Sequence, residues 1–231
     1  MQVDIDLGRA FGFVFDDEQW VSKILIGGLI ILIPILGMFW LMGYMMDVGE
    51  RVANNAPKPL PDIDFGSQLG KGFASFVISL VYALPVIVLV CVVMLLFVPL
   101  AGAAEGSQGG DAAIVSAMLG LWFCLFPLLF VAGLVIQVFV FASYVLYIQT
   151  GNIGQALNVG RAWQMLRAAP TSWLILFLVY ILASLVASAG AVAFGIGALF
   201  TTAFSQAMFG HALGQVAAQM RGGAEMSPAR L

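Results

Sequence analysis

The residue types able to do bond chemistry are few and scattered along this chain. His211 is the only histidine. A zinc site or a base-activated nucleophile draws on several His, Cys or carboxylate groups close together, and the sequence shows no such cluster. Cys91 and Cys124 each lie inside an apolar run, where a free thiol behaves as a small hydrophobe. Ser184, Ser188 and Ser205 have one conceivable base, His211, but none stands in a nucleophile motif. Ionisable groups within an apolar run are functional candidates by default. No buried acid is at hand to relay a proton, however, so His211 is read as hydrogen-bonding near a helix end. The expectation is therefore a chain with no catalytic residue, no cofactor and no metal.

The elements that position these residues belong in lipid. Hydrophobic residues make up 62% of the 231 positions and charged residues 9%, against about 45–50% and 25% in soluble domains. Mean hydropathy is +1.04. Nine basic and 12 acidic side chains cannot cover a water-facing surface of this size, so the bilayer is the expected partner. A net charge of −3 excludes a strongly basic nucleic-acid binder. No secretory signal pattern precedes Lys23: the residues before it are acidic rather than basic.

A bilayer core about 30 Å thick needs about 20 apolar residues as a helix. Five runs qualify within a single helical membrane domain over 1–231: 24–46, 73–99, 114–148, 173–194 and 197–216. The third is too long for one upright span; Trp122 and Pro127 mark where an interfacial start can bend into the spanning part. The fifth is the weakest, rich in small residues and carrying Thr201, Thr202, Ser205, Gln206 and His211. It follows the fourth so closely that the two should form an antiparallel hairpin. The class is all-α, with about five transmembrane helices, or four plus a re-entrant hairpin.

Two amphipathic segments flank these runs. In the N-terminal segment 1–22, Leu7, Ala10, Phe11, Val14 and Phe15 repeat at helical spacing behind Asp6 as a cap. In 152–168, Asn152 caps a helix whose apolar face holds Ile153, Ala156, Leu157, Gly160 and Trp163, and Pro170 ends it. Both are read as interfacial helices. Pro57-Lys58-Pro59-Leu60-Pro61 should be extended, and residues 101–110 form a flexible loop.

Basic residues near span ends set orientation. Arg51, Lys58 and Lys71 lie in one loop, Arg161 and Arg167 in another, and Arg221 and Arg230 in the tail. Residues 100–113 hold none. The basic loops and the C-terminus are therefore expected on the cytoplasmic side, and residues 100–113 outside. The first run admits two readings. A helix spanning the bilayer with a kink at Pro34 leaves residues 1–22 outside. A run that dips in and returns, bent at Pro34 and Gly37, leaves every basic residue cytoplasmic. Irregular backbone in lipid is costly, which favours the kinked span.

One resemblance emerges from these residues in order. It comprises Ala10-Phe11, Asp17-Glu18-Gln19-Trp20, Lys23-Ile24-Leu25-Ile26-Gly27-Gly28 and Leu32-Ile33-Pro34-Ile35, then Gly43-Tyr44, Arg51, Leu60-Pro61-Asp62 and Gly70-Lys71-Gly72. The chain resembles the uncharacterised prokaryotic membrane proteins grouped as domain of unknown function 4013. The likeness runs over nearly the whole chain and is most specific over residues 7–90. It implies a helical protein of a bacterial or archaeal membrane. That family has no established activity, so no catalytic residue carries over. The later part, Ala156 to Arg167 into Trp173, is weakly similar to wider polytopic families, including the membrane domain attached to some glycerophosphodiesterases.

Two function classes fit. One is a non-catalytic accessory or scaffold protein of the cell membrane, packing with itself or another membrane protein. Gly27, Gly28, Ser184 and Ser188 supply small-residue positions for close helix contact. The other is a transporter or channel for a small uncharged solute, with Pro34, Pro85 and Pro127 bending helices around a cavity and Gln137, Gln206 and Gln215 as polar groups; His211 is the remaining functional polar candidate. A continuous polar path would favour transport, and an interior closed by small-residue contacts the scaffold.

Overall fold

The computed structural model describes residues 5–58, 60–104, 110–192 and 196–225. Among them the regular elements are all helical. In order they are α1 (Leu7–Gly12), a 3-10 turn (Phe13–Asp16), α2 (Trp20–Ile30), α3 (Leu36–Ala53), α4 (Phe65–Ala104), α5 (Gly110–Thr150), α6 (Ile153–Ala156), α7 (Val159–Ala168), α8 (Pro170–Ala189), a 3-10 turn (Gly190–Val192) and α9 (Ile196–Glu225). The chain divides into two compact units. One is Met1–Ser79 with Phe139–Leu231, the other Leu80–Val138.

Three stretches are long and apolar enough to cross a membrane: Phe65–Leu95, Leu119–Thr150 and Pro170–Ala189. At about 1.5 Å per residue, the 20 residues of α8 match the hydrocarbon thickness of a bilayer. The third run lies within one continuous helix, α5, which carries Pro127 in its interior.

The first apolar run is where the structure departs most from the kinked span. It forms two helices, and the second turns back along the first. The backbone of Gly37 lies against Ile30 and Ile31, and one step further from the turn Gly27 lies against the ring of Trp40. This symmetric pairing is that of an antiparallel hairpin. Pro34 sits at its exposed tip, where its ring bars the preceding residue from helical geometry. Ile35 adopts φ 66° and ψ −58°, while the Leu36 N–H donates to the Pro34 carbonyl at 2.7 Å. That is the rare γ-turn, strained for a β-branched residue.

α9 runs through the middle of this unit. It packs against α1, α2, α3 and α8, and Ala203, Ala207, Met208, Ala212, Leu213, Val216 and Ala217 are all buried. Gly210 meets the Met45 carbonyl, and Gly214 meets Gly49 and Val52, so α3 and α9 run parallel. α8 and α9 run antiparallel, tied at the connection by Thr201, whose hydroxyl donates to the Ala187 carbonyl at 2.9 Å. The low hydropathy of the fifth run now has a reason. A helix sheathed by its own neighbours meets little solvent of any kind and can be built from small residues.

The other expected elements change in detail. Asp6 caps α1 through the Arg9 N–H at 2.9 Å. The helix then tightens to three residues per turn, which brings Phe13 inward with Ala10 and Val14 and leaves Leu7 and Phe15 exposed. The single helix expected over 152–168 is two. Asn152 caps α6 through the Gln155 N–H, and Asn158 breaks the run and caps α7 through the Arg161 N–H at 3.0 Å.

α3 and α4 touch backbone to backbone. A Cβ built on Gly43 would lie 1.6 Å from the Gln68 carbonyl oxygen, and one on Gly72 would lie 1.6 Å from that of Phe39. Neither carbonyl can move without unwinding its helix. Gly43→Ala and Gly72→Ala should each lower stability in detergent by about 3 kcal/mol or more, at or beyond the upper end of ordinary overpacking. Gly70→Ala, with open space at its Cβ position, should be neutral or slightly stabilising, because alanine favours the helix. Thermal unfolding followed by size exclusion reads all three.

Candidate functional site

The polar side chains of the first unit gather where the ends of the α2–α3 hairpin meet the last turns of α9. Lys23, one turn into α2, is almost fully buried. Its ammonium donates to Asp17 at 2.8 Å and to the Leu60 carbonyl at 3.2 Å, and pairs with Asp62 at 3.0 Å. The N-terminal segment, the hairpin and the proline-rich loop are thus joined at one nitrogen. Burial by itself raises the Asp17 carboxyl. The Lys23 hydrogen bond, the Gln19 N–H at 2.8 Å and the charges of Lys23 and Lys58 outweigh it and hold Asp17 below the usual carboxylate range. Asp62 is held low mainly by its hydrogen bond to Lys23.

A second cluster joins α3 to α4. Lys71 bridges Asp47 at 2.9 Å and Glu50 at 2.6 Å. Gln68, fully buried, donates to Asp47 at 3.3 Å and to the Asp62 carbonyl at 2.9 Å, and accepts from the Asp64 N–H at 3.1 Å. The buried amide therefore fixes the loop entering α4.

The third cluster holds the N-terminal segment on α9. The Gln215 amide accepts from the Asp6 N–H at 2.8 Å and donates to the Asp6 carbonyl at 3.1 Å. It also lies 3.0 Å from His211 Nδ1, and the His211 ring rests on Phe13 with centroids 4.3 Å apart. Nearby, Arg221 donates to Asn54 Oδ1 at 2.9 Å, and Gln149 donates to the Ala217 carbonyl at 2.9 Å. Among the described residues, no group of three or more His, Cys, Asp or Glu is placed to hold a metal ion.

Of the residues singled out in the sequence, the structure brings His211 and Gln215 together and scatters the rest. His211 is buried under Phe13, and Gln206 is half-buried on the same helix. Gln137 is half-buried and falls in the other unit. Ser184 and Ser188 are exposed, each donating to a carbonyl of its own helix. Gly27 packs on Trp40 and Ala203, and Gly28 on Phe200 and the Leu199 backbone. Pro85 and Pro127 are exposed on α4 and α5, as are Cys91 and Cys124. Sequence reasoning took Gln215 only as a polar group for a solute path and passed over Gln68 and the partners of Lys23. The available signal was a lone lysine opening an apolar run, six residues after an aspartate.

A family model described as a protein of unknown function, DUF4013, matches residues 26–213. The chain belongs to the DUF4013 family. No curated protein and no solved structure matches it. The DUF4013 match takes in the end of α2, all of α3, the Gly43–Gly72 contact, the Lys71 cluster and His211. Asp6, Asp17, Lys23 and Gln215, which fasten the N-terminal segment, fall outside it.

The buried Asp17–Lys23 pair gives this fastening a pH dependence. A carboxyl held low in the folded state contributes stability above its unfolded pKa, and that contribution is lost as pH falls through the folded value. In a His211→Gln background, which removes the other titratable group packed on this segment, protection of residues 5–22 from protease should therefore be constant from pH 8 to 5. It should fail only below about pH 4, the ordinary carboxylate value. Adding Asp17→Asn should weaken the protection at neutral pH and shrink the loss below about pH 4 to the part that Asp62 contributes.

Proposed function

We propose that this DUF4013 protein is a non-catalytic accessory or scaffold protein of a prokaryotic cytoplasmic membrane. One observation carries this reading: the charged and amide side chains that the first unit buries most deeply, Asp17, Lys23 and Gln68, hold its own segments together. Lys23, Gln68, Lys71, Gln149, Gln215 and Arg221 each bond to a part of the chain outside their own helix. The contacts between helices are made by glycine, alanine and aromatic groups.

In this reading α4, α5, α8 and α9 cross the bilayer, and the α2–α3 hairpin enters and leaves it from one side. Support comes from the charges. Among the described residues, Arg9, Lys23, Arg51, Lys58, Lys71, Arg161, Arg167 and Arg221 all fall in the first unit. A hairpin that returns puts the cations before α2 on the same side as those after α3, as the retention of positive charge in the cytoplasm requires. The C-terminus is then cytoplasmic. The exposed hairpin tip, Leu32, Ile33 and Ile35, rests in lipid, with its irregular backbone limited to one tight turn. Arg167 stacked over Trp163 at 4.5 Å anchors α7 at the interface.

Recovery of the full chain in mild detergent, followed by native mass spectrometry, tests the function. A stoichiometric second copy or membrane partner is expected. His211→Gln, which keeps a hydrogen-bonding side chain and removes the titratable ring, should leave level and partner recovery unchanged. Loss of an otherwise intact cellular phenotype in His211→Gln, with assembly unaffected, would move a proton-linked activity to the front. Solute flux by a partner-free chain in liposomes would favour a transporter.

A further inference from the structure

A polar cavity of 290 Å³ opens between the N-terminal segment and the proline-rich loop, lined by Arg9, Asp16, Asp17, Glu18, Pro57 and Lys58. Asp17 is committed to Lys23. The other four charged groups form no ion pair among the described residues: two cations, Arg9 and Lys58, and two carboxylates, Asp16 and Glu18. A simple anion would be repelled by the carboxylates, and a simple cation by Arg9 and Lys58. The ligand that satisfies both is a compact zwitterion.

The setting narrows it further. Phe15 and Trp20 bracket the three acidic residues and meet edge to face at 4.9 Å, and aromatic side chains of this kind mark the headgroup level of a bilayer. The acidic segment leads directly into α2, whose Val21, Leu25 and Leu29 are exposed at helical spacing. That stripe is an apolar track starting at the cavity-bearing segment.

We propose that this cavity binds a phosphate joined to a primary ammonium, the headgroup of a phosphatidylethanolamine lipid or its soluble counterpart. The phosphate sits on Arg9 and Lys58 as charge-assisted hydrogen bonds, and the ammonium donates to Asp16 and Glu18. A quaternary ammonium has no N–H to donate, so a choline headgroup should bind less well. An anionic glycerol headgroup leaves the carboxylates facing negative charge. The inference rests on the membrane reading above, but the two fail separately: labelling from either side tests the topology, and ligand binding tests the cavity.

The test is native mass spectrometry of the full chain in detergent, with phosphatidylethanolamine, phosphatidylcholine and phosphatidylglycerol added in turn. Retention of the ethanolamine lipid about tenfold above the other two is expected. Lys58→Gln and Arg9→Gln should each remove that preference, and Glu18→Gln should cut ethanolamine binding while raising phosphatidylglycerol binding. Lys58 lies in an exposed loop, so its variant reads binding even if Arg9→Gln weakens folding. Glycerophosphoethanolamine separates the sources: displacement at equal concentration identifies a soluble ligand, and displacement only in large excess identifies the lipid. Equal retention of all three lipids, or a preference for phosphatidylglycerol in the unaltered chain, overturns the proposal.

Discussion

The first unit depends on one helix reaching its neighbours backbone to backbone. α9 approaches α3 so closely that the Met45 carbonyl occupies the place where Gly210 would carry a Cβ, and the Gly49 carbonyl does the same at Gly214. In hydrocarbon, apolar side chains gain little by leaving lipid for protein, so helix association rests on close van der Waals contact. Small residues at this seam make such contact available. With α9 seated on α3, α8 follows through their short connection, and α1 and α2 close over the remaining faces. The polar clusters then lock what the seam has placed: Gln215 fastens the N-terminal segment, Lys23 the hairpin base, and Lys71 the start of α4.

The sequence carried the all-helical class, three of the apolar runs and two helix caps, because these depend on local physics. Apolar length reports a spanning helix, and Asp6 and Asn152 cap where a side-chain oxygen meets unpaired N–H groups. The path of the first run was not legible. Pro34 permits either a kink or a reversal, and the cost of irregular backbone in lipid favoured the kink. Two long-range contacts outweigh that cost: α2 and α3 both pack on α9, and the irregular part shrinks to one γ-turn at Ile35. Strain at such a residue costs about 1–3 kcal/mol, which those contacts offset. The basic residues held the clue, since only a reversal places Arg9 with the other cations.

Site residues were harder still. Single polar residues in an apolar chain draw attention, yet Ser184 and Ser188 bond only within α8. Of the residues that organise the polar end, Gln68 drew no attention in the sequence, and Gln215 drew it only as a polar group for a solute path. They matter because the fold buries one and sets the other against the peptide of Asp6. A glutamine amide that both accepts from and donates to one backbone residue 209 positions away has no local signature. The phase of α1 failed for a local reason instead: the switch to a 3-10 turn after Gly12 rotated Phe13 into the core.

The reversal of the first apolar run is tested most directly by labelling from the two sides of the membrane. Single cysteines at Glu18 and at Asn55, in a background lacking Cys91 and Cys124, flank the hairpin on its two ends. Both should resist an impermeant thiol reagent applied to intact cells, and both should react once the membrane is permeabilised. Labelling of the Glu18 position from outside, with the Asn55 position protected, would show that the run crosses the bilayer and would contradict the hairpin.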